Sequence, residues 1–262
     1  MKLENVLAVY TTPRTNEQKS TLNLVKKTLK KFKINFSLAN RDKLSKAQFR
    51  NRNLIIAVGG DGTFLRAAQF VGKQLIFGVN SDVKDKEGFF MKSNRNDFDK
   101  KFRRIANSQF KIKKLSRLEA NMDNKKLDTL ALNEFFIGPK KSYHAAKYII
   151  NFGNRKELQK SSGILITTPT GSYAWAKSCH GKALPLKSTN YQFVVREPYQ
   201  GRVFKNYKLI YRVLGRNQKI TVTSKMLDGI LIADSVGKEH SFKNGSKATF
   251  KISNKHLNAI WL

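Results

Sequence analysis

The chain has 262 residues, with 51 lysines and arginines against 18 aspartates and glutamates and a formal charge of +33. Hydrophobic residues make up 40% and charged residues 26%, which excludes a disordered chain in spite of the charge. Five prolines and 16 glycines exclude a collagen-like or low-complexity architecture, and the single cysteine, Cys179, excludes a disulfide framework or a cysteine-rich metal site.

His144, His180, His240 and His256 lie far apart and make no metal-ligand pattern. No apolar run approaches the ~18 residues a membrane span needs. The start of the chain carries no signal-peptide core of ~7–15 apolar residues. A cytoplasmic, membrane-free protein is expected. The charge draws anions: phosphates, nucleotides, RNA or acidic lipid heads. Of the 51 cations 37 are lysine and 14 arginine, whereas a nucleic-acid reader favours arginine for its forked contacts. The lysines are also scattered, so a solvated basic surface is expected and nucleic acid is not expected as a partner.

The first part alternates strand and helix signals. Val6–Tyr10 is a short apolar run suited to a buried strand. Thr15-Asn16-Glu17-Gln18 has capping-box spacing, and Leu22, Val25, Leu29 and Phe32 then recur every three to four residues, as on an amphipathic helix. Leu54–Val58 is a second buried strand, Phe64–Val71 the helix after it and Leu75–Val79 a third strand. This order predicts an α/β domain with a parallel sheet over residues 1–108.

Beyond residue 108 the period shortens. Leu127–Leu132, Phe135–Ile137, Tyr148–Phe152, Ile164–Thr167, Tyr191–Val195, Lys208–Leu214, Ile220–Thr223, Ile230–Ala233 and Ala248–Ile252 read as strands. They are separated by turns such as Asn151-Phe152-Gly153-Asn154. Residues 109–262 are therefore expected to form an antiparallel, β-rich domain.

Three motifs carry chemistry. Gly59-Gly60-Asp61-Gly62-Thr63 directly follows a buried strand. Its glycines allow a tight turn and a close approach of phosphate to backbone N–H groups, and a helix starting at Thr63 or Phe64 adds its positive end. Asp61, at the carboxyl end of a strand, suits a general base toward a hydroxyl or a magnesium ligand; a helix cap is the plainer alternative. Asn133-Glu134 interrupts an apolar β segment, and buried amide and carboxylate groups need partners. Ribose hydroxyls or a base edge supply them, as would a β-bulge or strand end. Thr167-Thr168-Pro169-Thr170-Gly171-Ser172-Tyr173-Ala174-Trp175-Ala176-Lys177-Ser178 runs from a strand through a hydroxyl-rich turn into a helix-like stretch, with Tyr173 and Trp175 offering flat faces to a base. Gly171 to Ser178 nearly matches an ATPase phosphate loop. Ala176, however, replaces the glycine that lets such a loop wrap phosphate.

The three motifs, in this order and spacing, resemble the NAD kinases. Diacylglycerol and sphingosine kinases carry relatives of the glycine-rich motif alone, and a lipid kinase of that type or a basic nucleic-acid binder are the alternatives. Gly78-Val79-Asn80 with Gly88-Phe89-Phe90 is similar to the family's stretch after the third strand. Val195-Arg196-Glu197-Pro198 is similar to the mitochondrial-type branch. The resemblance implies an α/β first domain and a β-rich, sandwich-like second one whose C-terminal tail packs back on the first. It also implies phosphoryl transfer to the adenosine 2′-hydroxyl of NAD(H), with Mg2+ or another divalent cation, ATP or polyphosphate as donor, and a homodimer or homotetramer. By it Asp61 is the catalytic base and the only side chain assigned toward a metal. Gly59, Gly60, Gly62 and Thr63 bind the phosphate donor. Gly60, Gly62, Asn133, Glu134, Thr170, Tyr173, Ala174, Trp175, Ser178 and the late acid Asp234 bind NAD. The chain departs from the family pattern at Lys160-Ser161-Ser162-Gly163, where an acidic contact is missing at Ser162, and at His180-Gly181-Lys182-Ala183-Leu184-Pro185.

Overall fold

Strands that are apolar on both faces must be covered on both sides. In the computed structural model, which describes residues 3–262, Val6 to Val9 and Leu54 to Gly59 are buried without a break. They belong to β1 (Asn5–Tyr10) and β3 (Leu54–Gly59), which lie beside β2 (Asn35–Asn40) and β4 (Leu75–Asn80) in parallel register. The seven-stranded sheet continues through β5 (Met91–Asn94), β6 (Lys111–Leu115) and β7 (Leu257–Trp261) in the order β2-β1-β3-β4-β7-β6, with β5 also on β4.

Helix α1 (Asn16–Lys31) begins at Thr15, whose hydroxyl accepts from the Gln18 amide at 3.2 Å. The return half of the capping box is shifted by one residue, because the Gln18 side chain accepts from the Arg14 amide instead. Leu22, Val25 and Leu29 are buried as the spacing predicts. Helix α2 (Asp61–Ala68) starts two to three residues earlier than the sequence suggested and ends before Val71. The cause is the Gly60 carbonyl, which accepts from both Thr63 and Phe64 amides and so nucleates the first turn at Asp61. Helix α3 (Phe98–Ala106), which the sequence reading did not resolve, sets Phe102 edge-on against Phe32 at 5.4 Å between ring centroids.

The chain divides into two compact units, residues 1–114 with 257–262 and residues 115–256. The change of period near residue 108 marks the end of α3, not the end of the unit: β6 still belongs to the first sheet. Residues 257–262 return to it, Asn258 and Ala259 pairing in parallel with Leu75 and Ile76.

The second unit is a sandwich of two six-stranded sheets. One runs from Arg155–Ser161 through Ala146–Phe152, Ile220–Ser224, Lys247–Ile252 and Leu118–Met122 to Lys125–Lys126. The other runs from Tyr211–Leu214 through Tyr191–Arg196, Gly163–Thr167, Glu134–Pro139 and Gly229–Ala233 to His240–Ser241. Their inner faces share one core, in which Phe135 meets Phe250 and Phe152 meets Phe193. The hairpin expected at Asn151–Asn154 is present, with Gly153 at φ +57°, a value that favours glycine. Leu127–Leu132 is not a strand; only Ala131 bridges to Leu118, because the amides that follow it turn toward an acidic side chain described below. The segment 208–214 is a strand only from Tyr211. The helix-like stretch after Thr170 is a short 3-10 turn, Gly171–Tyr173, and one helical turn, Trp175–Ser178. Among the described residues no helix is long and apolar enough to cross a membrane.

Phe102 is fully buried between Phe32 and Phe98. Phe102→Ala is expected to cost about 3–5 kcal/mol of stability by opening a cavity there. Chemical denaturation checks it, and a loss under 1 kcal/mol would show that α3 does not depend on that ring.

Candidate active site

The glycine-rich turn lies in the first unit, between β3 and α2. None of Gly59, Gly60 and Gly62 has positive φ, so the expected use of glycine's dihedral freedom is not what selects them. Space is. A Cβ on Gly59 would lie 2.3 Å from Thr63 Oγ1, and one on Gly60 would lie 2.8 Å from the Lys86 side chain. A Cβ on Gly62 would meet only Arg41 Nη1, at 3.8 Å, leaving open ground beside a guanidinium. Thr63 is fully buried and its hydroxyl accepts from Arg41 Nη1 at 3.2 Å, so it positions Arg41 from beneath the turn.

The helix cap is Gly60, so Asp61 does not serve as one. Its half-buried carboxylate accepts two backbone bonds instead, from Phe89 N at 2.9 Å and Phe90 N at 2.8 Å, one on each oxygen. Each oxygen keeps a second lone pair. The loop supplying these amides is closely held. Gly88 sits at φ +70°, where a side chain would also strike Asn80. The Phe90 ring stacks on Phe64 at 4.8 Å, and Lys92 Nζ donates to the Phe89 carbonyl at 2.7 Å. Arg41, Lys86 and Lys92 thus surround the turn with positive charge. No sequence signal separates them from the other cations of a basic chain.

The second unit carries a different arrangement. Asp234, fully buried and in the left-handed region at φ +55°, accepts from three consecutive amides: Leu132 at 2.9 Å, Asn133 at 2.6 Å and Glu134 at 3.2 Å. Its own amide donates to the Glu134 carbonyl. The sequence assigned Asp234 to ligand binding; in the structure its carboxylate is a clamp on the Asn133-Glu134 segment. Thr168 and Thr170 complete the frame, their hydroxyls donating to the Leu132 carbonyl at 2.5 and 2.6 Å, while Thr167 Oγ1 and Thr168 N both donate to the Asn133 carbonyl. Gly171 is needed because a Cβ there would come within 2.1 Å of that carbonyl. The Thr170 hydroxyl is therefore committed internally.

What the frame leaves unpaired is Asn133 Oδ1 and Glu134 Oε2. Both are buried, on residues only 7% and 4% exposed, and neither has a hydrogen-bond partner within the protein. Buried polar atoms of this kind call for an incoming partner. Burial, and then the charge of Asp234, push the Glu134 carboxyl up to about 8, so at neutral pH it holds a proton and can donate. Burial raises Asp234 as well, against its three amide bonds and the charge of Arg117. Arg117, which the sequence reading missed, is itself buried and donates to the carbonyls of Lys255 and His256.

The remaining expected residues spread outward. Trp175 lies against Phe136, with the Arg196 guanidinium 4.5 Å above its ring. Tyr173 is exposed and Ala174 half-exposed. Ser178 lines a cleft of about 600 Å³ together with Cys179, His180, Glu197 and Tyr211. Ser162, where an acidic contact was expected to be missing, bonds the Glu197 carboxyl and holds it below its usual range. Lys177 and Lys182 are exposed.

Because the folded state raises the Glu134 pKa, it binds a proton that the unfolded chain has already released. This contribution is intact below about pH 4.5 and is lost as pH climbs toward 8. Wild-type stability relative to Glu134→Gln is expected to fall across that window. Urea unfolding at several pH values measures it, and parallel curves for the two proteins would refute the burial of this carboxyl.

No family model matches the chain. A protein of Oryza sativa subsp. japonica described as a probable NADH kinase is 26% identical over 93% of this chain and 81% of its own length. NAD kinase 2 of Halalkalibacterium halodurans is 34% identical, over 49% of this chain and 48% of that protein, so the match spans about half of it. Among solved structures, an NAD kinase from Archaeoglobus fulgidus in complex with ATP superposes with a TM-score of 0.78 at 20% identity, covering 98% of this chain and 92% of that one. Yeast NADH kinase complexed with NADH gives 0.84 at 16% identity, covering 100% and 84%. The chain thus shares the fold of these two kinases across nearly its whole length, and its sequence is similar to proteins described as NAD and NADH kinases.

Proposed function

We propose that the chain phosphorylates the adenosine 2′-hydroxyl of NAD or NADH, with ATP as donor. The observation that carries this reading is Asp61: a carboxylate at the end of a parallel strand, beside a glycine-rich turn with open ground at Gly62, held by two amides and retaining lone pairs. Such a group can take the proton of an incoming hydroxyl. As the proton passes to Asp61, the hydroxyl oxygen bonds to the γ-phosphorus and the bond from that phosphorus to the bridging oxygen breaks, so ADP leaves. Positioning and charge neutralisation supply most of the acceleration in such transfers. Arg41, Lys86 and the open backbone at Gly62 are placed for the donor's phosphates. Asn133 Oδ1 and Glu134 Oε2 are the groups left to meet ribose hydroxyls or a base edge.

Among the described residues no cluster of three or more His, Cys, Asp or Glu forms a metal cage. This fits a magnesium ion that comes with the donor's phosphates, for which one carboxylate is protein ligand enough. Asp61 would be that ligand, and the ion would neutralise phosphate charge. Polyphosphate as an alternative donor, a homodimer or homotetramer and a cytoplasmic setting belong to the same reading and rest on the family resemblance.

Incubation with NAD or NADH, ATP or polyphosphate, and magnesium, followed by chromatography for NADP(H), tests the activity and identifies the preferred pair. Asp61→Asn should lose about 10²–10⁴-fold in kcat with the fold retained; full activity would overturn its role as base. Arg41→Met should raise KM for ATP about tenfold, as loss of a charge-assisted bond to phosphate does, with KM for NAD unchanged. An unchanged KM for ATP would remove Arg41 from the donor site.

A further inference from the structure

The sheet of the first unit brings the end of the chain close to the loop that holds Asp61. β4 is shared end to end by two strands: Leu75 and Ile76 pair with Asn258 and Ala259 of β7, and Gly78 to Asn80 pair with β5, starting at Met91. Trp261, two residues beyond Ala259, therefore falls at the level where β5 begins. There the Lys92 ammonium lies 3.9 Å from the centroid of the Trp261 ring, and Lys113, from the neighbouring β6, lies 4.4 Å from it. An indole is the aromatic ring best suited to hold a cation. Here it serves two that would otherwise repel one another.

Lys92 is also the residue that donates to the Phe89 carbonyl at 2.7 Å, and it lies 5.7 Å from the Phe89 ring. The amides of Phe89 and Phe90 are those that grip the two oxygens of Asp61. A continuous series of contacts thus leads from Trp261 to Lys92, to the Phe89 carbonyl, to the Phe89 and Phe90 amides and on to the carboxylate. We propose that Trp261 and Lys92 are positioning residues for Asp61, the indole holding the ammonium that fixes the Phe89–Phe90 loop and so aims the carboxylate. This rests on the reading of Asp61 as the base, but the mechanical part stands without it.

The alternative is that Trp261 merely covers the sheet edge. Burial and Lys113 push the Lys92 ammonium below its usual range while Asp61 draws it up, so Lys92 is electrostatically coupled both to its neighbour and to the carboxylate. A side chain serving only as cover needs no such cation.

The test combines amide exchange with kinetics on the full chain. Trp261→Leu and Lys92→Met should speed exchange in residues 88–92 while the amides of β1 and β3 stay protected. They should also lower kcat about tenfold or more, with KM for NAD and ATP within about twofold, as misaimed but intact sites do. Trp261→Phe, which keeps a ring for the cation, should restore most of kcat and of the protection. Unchanged exchange at 88–92 in Trp261→Leu overturns the proposal, as does a Trp261→Phe variant as impaired as Trp261→Leu. A wild-type chain that phosphorylates no dinucleotide overturns the base assignment alone, and exchange still decides whether the clamp exists.

Discussion

A carboxylate seated on consecutive backbone amides recurs in both units, and both candidate surfaces depend on it. Asp61 closes on the amides of Phe89 and Phe90; Asp234 closes on those of Leu132, Asn133 and Glu134. Each such bond to a charged group contributes about 1.5–3 kcal/mol when its geometry is good. The more important effect is directional. An apolar strand pair tolerates small slips in a following loop, whereas a carboxylate spanning two or three adjacent N–H groups admits one arrangement of that loop. In the first unit the carboxylate itself is the part held ready. In the second the carboxylate is consumed by the frame, and the ready groups are those of the segment it holds.

The second arrangement has an electrostatic consequence. With the amides of 132–134 taken by Asp234, and the carbonyls of 132 and 133 taken by Thr167, Thr168 and Thr170, every local partner is already engaged. Asn133 Oδ1 and Glu134 Oε2 are then buried without one. An unpaired buried polar atom costs about 1–3 kcal/mol. Glu134 lowers its share by staying protonated, and the nearby charge of Asp234 reinforces that choice. A ligand that pairs these atoms recovers the cost on binding, so a strain of the empty protein becomes affinity and selectivity for partners of the right hydrogen-bonding pattern.

The sequence is a good guide where chemistry and local rules coincide. Gly59 to Thr63 stood out because glycines bracketing an acid after a buried strand have few structural explanations. Asn133-Glu134 stood out because two adjacent polar residues violate strand alternation. The short apolar runs of the second unit, set between turn residues, were equally readable as strands. Other features depend on separation along the chain. Asp234 lies about 100 residues from the amides it clamps, and nothing in its own neighbourhood announces them. Arg41 and Lys92 are single cations among 51, distinguished only by what the sheet sets beside them. The strand Arg155–Ser161, rich in charged residues and half solvated, has too little alternation to be seen, and it forms because the Gly153 turn folds it onto its partner. The unit boundary was misplaced for a related reason: β6, Lys111–Leu115, is mostly exposed and lysine-rich, so it read as a change of domain.

The same contrast bears on the charge of +33. The 51 basic residues far outnumber the 18 acidic ones, so most cations have no acid of their own. The acids present are further committed, Asp61 and Asp234 to backbone amides and Glu119 to both Lys126 and Lys251. A surface of this kind makes a positive potential that reaches about 8–10 Å at physiological salt and raises the encounter rate of any anion. It does not select among anions. In the proposed reading selection falls to the few cations that the fold fixes beside the turn, Arg41 against Thr63 and Lys86 over Gly60. On that reading the excess charge raises the rate at which anions arrive, and Arg41 and Lys86 decide which of them stay.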